Sequence, residues 1–504
     1  MRGWSSRKGI NCRLLQTSKE SLSSKHTLPI PQPNPRNAYL GVLLVSAAYF
    51  MENLDGTIIA TALPHMARSF HARAVDLNVG MTAYLLAVAI FIPVSGWVAD
   101  RVGTRTTFAW AIAVFTLASV LCGAANGILS FTAARTLQGI AGAMMVPVGR
   151  LVVLRTTQRE DLLRAIAYIT WPGLVAPILA PPLGGWISDA ASWRWIFFLN
   201  IPLGVSALVL TFFFIRNDRD EVPRQFDWFT FVLSAIACGS FVSSIEVVGQ
   251  SRPNYFVAVA LLAGSLLTGV LAILATLKSP APLFDLASLK LRSFAVTIFG
   301  GSLFRVAISV APFLLPLMFQ IGFGLSAFRS GLLLLALFAG NLGMKPMTSY
   351  MLRRFGFRNV LIVNGLCVFV ATALCSTLSP AMPAALLIAI LVANGMGRSM
   401  QFTSLNTLAF ADVKPARMSA ANSLQGTIQQ LTMGMGVAVG ALALRLAEKF
   451  HGRGSDLPRL QDFQMAFVLV SALALISVAD YLFLPGNAGE IATVRKKGRE
   501  SRTV

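Results

Sequence analysis

Fourteen apolar runs, each about the twenty residues that the hydrocarbon core of a bilayer requires, fill most of this chain. They lie near 39–62, 79–98, 107–126, 130–153, 165–187, 195–215, 228–248 and 255–277, then near 295–319, 329–348, 359–378, 382–404, 421–446 and 464–485. Where no water is available, such runs satisfy their backbone groups only as helices, so the pattern predicts an all-α membrane protein of about fourteen transmembrane helices. Composition agrees. Of 504 residues, 55% are hydrophobic and 12% charged, whereas a soluble domain carries about a quarter charged residues. So little charge would not cover a soluble surface.

The net charge of +21 would suit a nucleic-acid partner only if the basic residues formed one patch or stripe. They sit instead in short connectors and in the two tails. An even number of spans puts both tails on one side. About 28 Lys and Arg then fall on that side, about 8 on the other and about 6 within spans, the asymmetry of the positive-inside rule. The expected placement is a multi-pass protein of the cytoplasmic (inner) membrane with both termini cytoplasmic. Inner loops then hold Arg101 and Arg105, Arg155 to Arg164, Arg216 to Arg224, Lys278 to Arg292, Arg353 to Arg358, and Lys414 with Arg417. The long outer loops run around His65 to Asp76 and Glu448 to Asp462.

Residues 1–37 are basic and Ser-rich and end in Pro29, Pro31, Pro33 and Pro35. A secretory signal would place an apolar core there, so the plain reading is a disordered cytoplasmic tail, with a start codon set too early as the alternative. Residues 487–504 form a second basic tail. Cys122, Cys238, Cys367 and Cys375 fall in apolar runs and Cys12 in the tail, which reads as small buried hydrophobes rather than a disulfide framework.

A repeat organises the spans. Arg101, Gly103 and Arg105, between the second and third runs, recur as Arg354, Gly356 and Arg358 between the tenth and eleventh. The shared Arg-x-Gly-x-Arg frame divides the chain into an N-terminal six-helix bundle (38–215), an intervening two-helix segment (216–290) and a C-terminal six-helix bundle (291–486). Internal repeats of this kind mark secondary transporters, whose substrate site lies near the midplane between the halves.

Charge within the first and fourth runs is the sharpest local signal, because an intramembrane carboxylate costs at least about 2.5 kcal/mol on insertion scales. Glu52 and Asp55 stand three residues apart, on one helix face. The first run heads outward and the fourth inward, so Asp55 and Arg135 both fall in the outer third, and a pair between them, direct or through Gln138, is expected. Desolvation raises the proton affinity of a carboxylate and a nearby Arg lowers it, so making and breaking this contact would bind and release a proton. The competing reading is a permanent ion pair that only fixes packing. For Glu52 the alternatives are a second proton, a contact for a cationic substrate, or packing.

With these residues in place, the chain resembles the fourteen-helix drug:proton antiporters of the major facilitator superfamily, over nearly everything from Asn37 to Leu484. Four motifs carry the resemblance: Leu54, Asp55, Gly56 and Thr57 through Ala62, Leu63 and Pro64; Gly96, Asp100, Arg101, Gly103 and Arg105 after the second run; Arg135, Gln138, Gly139 and Gly142 in the fourth; and Pro181, Gly184 and Gly185 in the fifth, followed by Trp193, Arg194, Trp195, Ile196, Phe197, Asn200, Pro202 and Gly204. The resemblance implies proton-coupled export of drugs or toxic organic compounds by alternating access. It implies a gating role for Gly96, Asp100, Arg101, Gly103 and Arg105, with Thr104 and Thr106 where basic residues are common. It also implies an antiporter motif at Pro177, Pro181, Gly184 and Gly185, although Ala167, Ala176 and Ala180 stand where the pattern has glycine.

Candidates for the substrate cavity are Gln138, Gln401, Asn406, Gln425, Gln429 and Gln430 with the intramembrane Arg305 and Arg398, the former at about the position of Glu52 in the other half. Either Arg would suit an anionic substrate, or neutralise Glu52. Phe50, Trp171 and Phe304 are aromatic candidates, with helix or lipid packing as the alternative. No Lys follows a Gly, so no phosphate-binding loop is present. His26, His65, His71 and His451 lie outside the runs, and no Cys/His grouping has metal spacing. An enzyme, a metal and a cofactor are not expected; the expected partners are a small-molecule substrate, protons and the lipid bilayer, with a monomer as the simplest state. The rival functions are a proton-coupled transporter of a small metabolite such as an organic acid, a symporter among them, and a membrane sensor or membrane-embedded enzyme.

Overall fold

The computed structural model describes residues 35–157, 162–215, 217, 219, 225–249, 253–280, 282–284, 286–414, 417–452, 457–486 and 488. Both predicted tails, 1–37 almost entirely and 487–504 except residue 488, lie outside them, as do residues 158–161 and most of the loop at 216–224. Thirteen long helices carry the fold: α1 (Pro35–Ser69), α2 (Asn78–Val102), α3 (Thr104–Ala124), α4 (Ile128–Thr156), α5 (Leu162–Ala190), α6 (Asn200–Phe214), α7 (Trp228–Val248), α8 (Tyr255–Lys278), α9 (Arg292–Leu317), α10 (Ala327–Leu374), α11 (Ala384–Ala411), α12 (Met418–Phe450) and α13 (Leu460–Leu482). Among the described residues, twelve helical stretches are long and apolar enough to cross a membrane. One of them, Ala327–Thr377, is two membrane lengths in tandem, which is where the tenth and eleventh apolar runs lie.

Gly356 makes that junction. Its φ of 75° and ψ of 163° interrupt α10, a conformation essentially reserved for glycine. Its repeat counterpart Gly103 has φ 101° and separates α2 from α3, so both copies of the Arg-x-Gly-x-Arg frame turn the chain in the same way. A Cβ on Gly356 would meet nothing within 4 Å, so only backbone strain opposes a side chain there. Gly356→Ala should therefore cost about 1–3 kcal/mol, read as a lower melting temperature of the purified protein; an unchanged melting temperature would show that the turn relaxes freely.

The ends of the helices place the two faces of the bundle. The start of α1 meets the end of α6, where Gly41 faces the Phe214 carbonyl; Arg358, just past the Gly356 turn, donates to the Leu482 carbonyl at the end of α13. Successive helices alternate in direction, so α1 begins and α13 ends on one face, termed here the near face. Arg68 to Leu77, the end of α5 and the start of α10 lie on the far face. Two features differ from the loop boundaries expected at this face. α1 continues to Ser69 and so includes His65, and α12 continues to Phe450 with Glu448 buried. Both helices outrun their apolar stretch because their polar ends find partners: Arg73 for Glu448 and Asp189 for His65.

α7 and α8 pack chiefly on each other and expose long apolar faces. Asp227 caps the start of α7, accepting from the Thr230 N–H at 3.0 Å. α7 also lies along α2 and touches α12. At the near end Trp97 stacks edge-on with Trp228 at 5.3 Å and packs on Phe226 at 5.6 Å. At the far end Asn78 donates to Glu246 at 2.8 Å.

Candidate functional site

Asp55, on α1, is enclosed by α3, α4 and α6. Arg135 Nη1 donates to Asp55 Oδ2 and to Gln138 Oε1, both at 2.6 Å. Gln138 Nε2 donates to Asp55 Oδ1 at 2.9 Å and to Ser119 Oγ at 2.8 Å. Asn200 Nδ2 donates to the same Oδ1 at 2.8 Å. All five residues are essentially inaccessible. The pair expected between the first and fourth runs is thus formed, both directly and through Gln138, at the depth their opposite directions imply. Asn200 completes the carboxylate's hydrogen bonds, and Ser119 Oγ accepts from both amides, Gln138 at 2.8 Å and Asn200 at 3.2 Å. Asn200 stood in a sequence motif with no role; Ser119 gave no signal, because one hydroxyl in an apolar run is commonplace.

Glycines allow this closeness. A Cβ on Gly139 would strike the Tyr84 carbonyl, and one on Gly184 would strike Ile58 and its carbonyl, so α4 and α5 approach α2 and α1 backbone to backbone. The Arg135 guanidinium lies over the Tyr84 ring, 4.4 Å from its centroid. Tyr84 also lines a cavity of about 330 Å³ between α1, α2 and α5 on one side and α9 to α12 on the other, the size of a small-molecule site. One aromatic ring therefore separates the ion pair from the cavity.

Glu52 and Asp55, expected on one helix face, do different things. Glu52 and Asn53 line the cavity, and Glu52 Oε2 has no hydrogen-bond partner, while Asp55 is sealed within the bundle. Of the predicted cavity residues, Arg398 and Gln430 line it. Others do not. Gln138 belongs to the Asp55 network. Gln401 is fully buried, accepting from Asn364 at 2.8 Å and donating to the Leu361 carbonyl at 3.0 Å, and so fastens helix packing. Arg305 donates to the Thr297 carbonyl at 2.9 Å and reaches Asn406 at 3.5 Å within the C-terminal helices; it does not neutralise Glu52 by contact. Gln429 is half-buried and outside the lining, and Gln425 reaches Asn406. The aromatic walls are Tyr84, Phe313, Phe338 and Phe402, whereas Trp171 is exposed and Phe304 is buried in the core. Lys345 also lines the cavity, a residue the sequence reading passed over.

The loop after α2 is pinned at the near face. Gly103 N–H donates to the Ala99 carbonyl at 3.0 Å, and Thr106 N–H donates to Asn217 Oδ1 at 3.2 Å. Arg101 lies over Trp97 at 5.4 Å, and Arg105 keeps a buried Nε without a partner. Asp100 stands a turn before, at the end of α2. Gly96 is exposed with open space about it. In α5, Pro177 lines the cavity, and the Pro181 carbonyl and the Gly185 backbone cross α10 at Gly331 and Ala327 so closely that no Cβ fits on either glycine.

A model for the Major Facilitator Superfamily matches residues 45–437. The chain belongs to that superfamily. This facilitator is 34% identical over 465 residues to an Escherichia coli protein named "Putative multidrug resistance protein MdtD", covering 91% of this chain and 97% of that one. It is 35% identical over 410 residues to the protein of the same name from Cronobacter sakazakii, covering 81% and 87%. Among solved structures, a D-xylose-proton symporter matches with a TM-score of 0.63 at 14% identity, covering 90% of this facilitator and 99% of that chain. A bacterial homolog of the lysosomal transporter Spinster in an inward-facing conformation also gives 0.63 at 14%, covering 91% and 98%. At those identities the likeness speaks for the fold. The facilitator is a multi-pass membrane transporter of small molecules and not an enzyme.

The polar contacts described between α1–α6 and α9–α13 collect at the far end. Arg73 pairs with Glu448 at 2.6 Å and Asp76 with Arg445 at 2.5 Å. Asp189 accepts from the Ala327 and Phe328 N–H groups at 3.3 and 2.8 Å, capping α10 from α5, and Gln320 reaches the Thr61 carbonyl at 3.0 Å. Removing both ion pairs, Arg73→Ala with Arg445→Ala, should raise far-side maleimide labelling of a Thr57→Cys protein, made without the five native cysteines. The expected rise is about 3- to 10-fold, since two such pairs together contribute about 0.5–1.5 kcal/mol. Unchanged labelling would mean that the backbone crossings alone hold this end shut.

Proposed function

We propose that this facilitator is a proton-coupled antiporter that exports small organic molecules across the cytoplasmic membrane, its bundles 38–215 and 291–486 rocking about the central cavity with both termini cytoplasmic. The observation that carries the reading is the buried Asp55–Arg135 pair beside, and not within, that cavity. A charged pair out of water is tolerated only while its partners stay in place. Displacing Arg135 as the bundles rock leaves Asp55 desolvated and unpaired, which favours its proton; restoring the contact expels it. Tyr84, against Arg135 on one side and the cavity on the other, is the means by which cargo is felt at the pair. Far-end latches and a cavity at membrane depth support a state closed on the outside. The loop of Gly96 to Arg105 supports the near-face gate of the same cycle.

Two measurements test this. The purified protein in vesicles should move solute against its gradient when the two sides differ by a unit of pH, and the flux should collapse with a proton carrier. Proton movement in the same direction as solute would replace antiport with symport. Flux indifferent to the pH difference would remove proton coupling.

A further inference from the structure

The cavity wall carries two cations that the structure leaves without a carboxylate. Lys345 on α10 and Arg398 on α11 both line it; Arg398 Nη1 reaches only the Ile308 carbonyl, at 3.5 Å. Among the described residues neither has a carboxylate within ion-pair distance, whereas Arg73, Arg135 and Arg445 each have one. Arg305, the other deeply placed cation, is held by a carbonyl and an amide inside helix packing. Facing Lys345 and Arg398, the cavity's lining carboxyl group is Glu52, so the wall carries two basic side chains against one acidic one. Charge at this depth is costly, and ionisable groups kept there face a cavity because something in that cavity answers them. A guanidinium offers a fork matched to a carboxylate, sulfonate or phosphate oxygen pair. The remaining wall mixes amides and hydroxyls, Asn53, Asn341 and Gln430 among them, with apolar side chains, of which Phe313, Phe338 and Phe402 give the flat faces.

We infer that the cargo is an amphipathic organic anion, its acidic group seated on Arg398 and Lys345 and its apolar body against the phenylalanines of the C-terminal half. This rests on the reading of the cavity as the cargo site, but not on the proton coupling. It places cargo recognition in the C-terminal helices and the ion pair in the N-terminal ones. Glu52 opposes the anion across the cavity and so limits how tightly it is held.

The test uses the full chain in detergent micelles without any proton gradient, and three probes of one shape: naphthoate, its neutral amide and naphthylmethylammonium. Calorimetric titration should give naphthoate at least about tenfold tighter binding than either other probe. Arg398→Gln and Lys345→Gln should each weaken naphthoate about tenfold, Arg398→Lys less, and Glu52→Gln should strengthen it. Equal binding of the three probes, tighter binding of the cation, no binding of any, or competition by chloride as strong as by naphthoate would overturn the inference. The comparison of probes on the unaltered protein stands even where a variant fails to fold. Because binding is read without a gradient, loss of proton-driven flux with naphthoate binding intact would sink antiport alone, and the reverse result would sink the anion.

Discussion

Asp55→Asn should bring proton-driven transport in vesicles down to the level of protein-free vesicles, while the protein remains inserted. Asparagine is nearly isosteric and keeps the hydrogen-bonding shape, but it neither binds nor releases a proton. It also leaves Arg135 as a buried cation without its carboxylate, and breaking such a pair from one side costs about 3–5 kcal/mol. The single variant should therefore melt earlier as well as fail to couple, and the two effects must be separated. Asp55→Asn combined with Arg135→Gln removes both charges and leaves amides that Gln138, Ser119 and Asn200 can satisfy. That double variant should recover the melting temperature and remain uncoupled. Full proton-driven transport by Asp55→Asn would end the assignment; recovery of transport in the double variant would make the pair a packing device.

The second large effect is expected at the α5–α10 crossing. Any Cβ on Gly185 falls on the Ala327 carbonyl, and any on Gly331 falls on the Pro181 carbonyl. Overpacking costs about 1–3 kcal/mol even where side chains can yield, and here the obstruction is main chain. Gly185→Leu should shift the facilitator away from the far-end-closed arrangement by at least about 10- to 100-fold and stop transport. Far-side labelling of a Thr57→Cys protein should approach completion and near-side labelling should fall, with Gly185→Ala intermediate. Unaltered labelling of the leucine variant would show that the crossing opens without passing through this contact.

Much of this was legible in the order of residues. The helix positions follow from apolar runs, because a helix in lipid has no other way to satisfy its backbone. The Asp55, Arg135 and Gln138 contacts follow from cost and direction, since a buried carboxylate needs a partner and antiparallel helices put these residues at one depth. The rest needed rotation about helix axes, which spacing leaves open on a helix that is apolar nearly all round. A 300° step from Glu52 to Asp55 is enough to turn one into the cavity and the other into the bundle. The same uncertainty misplaced Gln401 and Arg305, which are polar because helix packing needs donors, and it hid Lys345, one lysine in a long helix. His65 and Glu448 escaped because their partners are distant in sequence.

The placement of α7 along α2 and against α12 reaches beyond the two helices themselves. Two clefts run between the bundles, one bounded by α2 and α12 and the other by α5 and α10, and α7 lies over the first. An oily cargo dissolved in the membrane thus finds one flank of the transporter boarded over. Neither α7 nor α8 packs on the opposite flank, along α5 and α10, among the described residues, so cargo entering sidewise from lipid should come from that side.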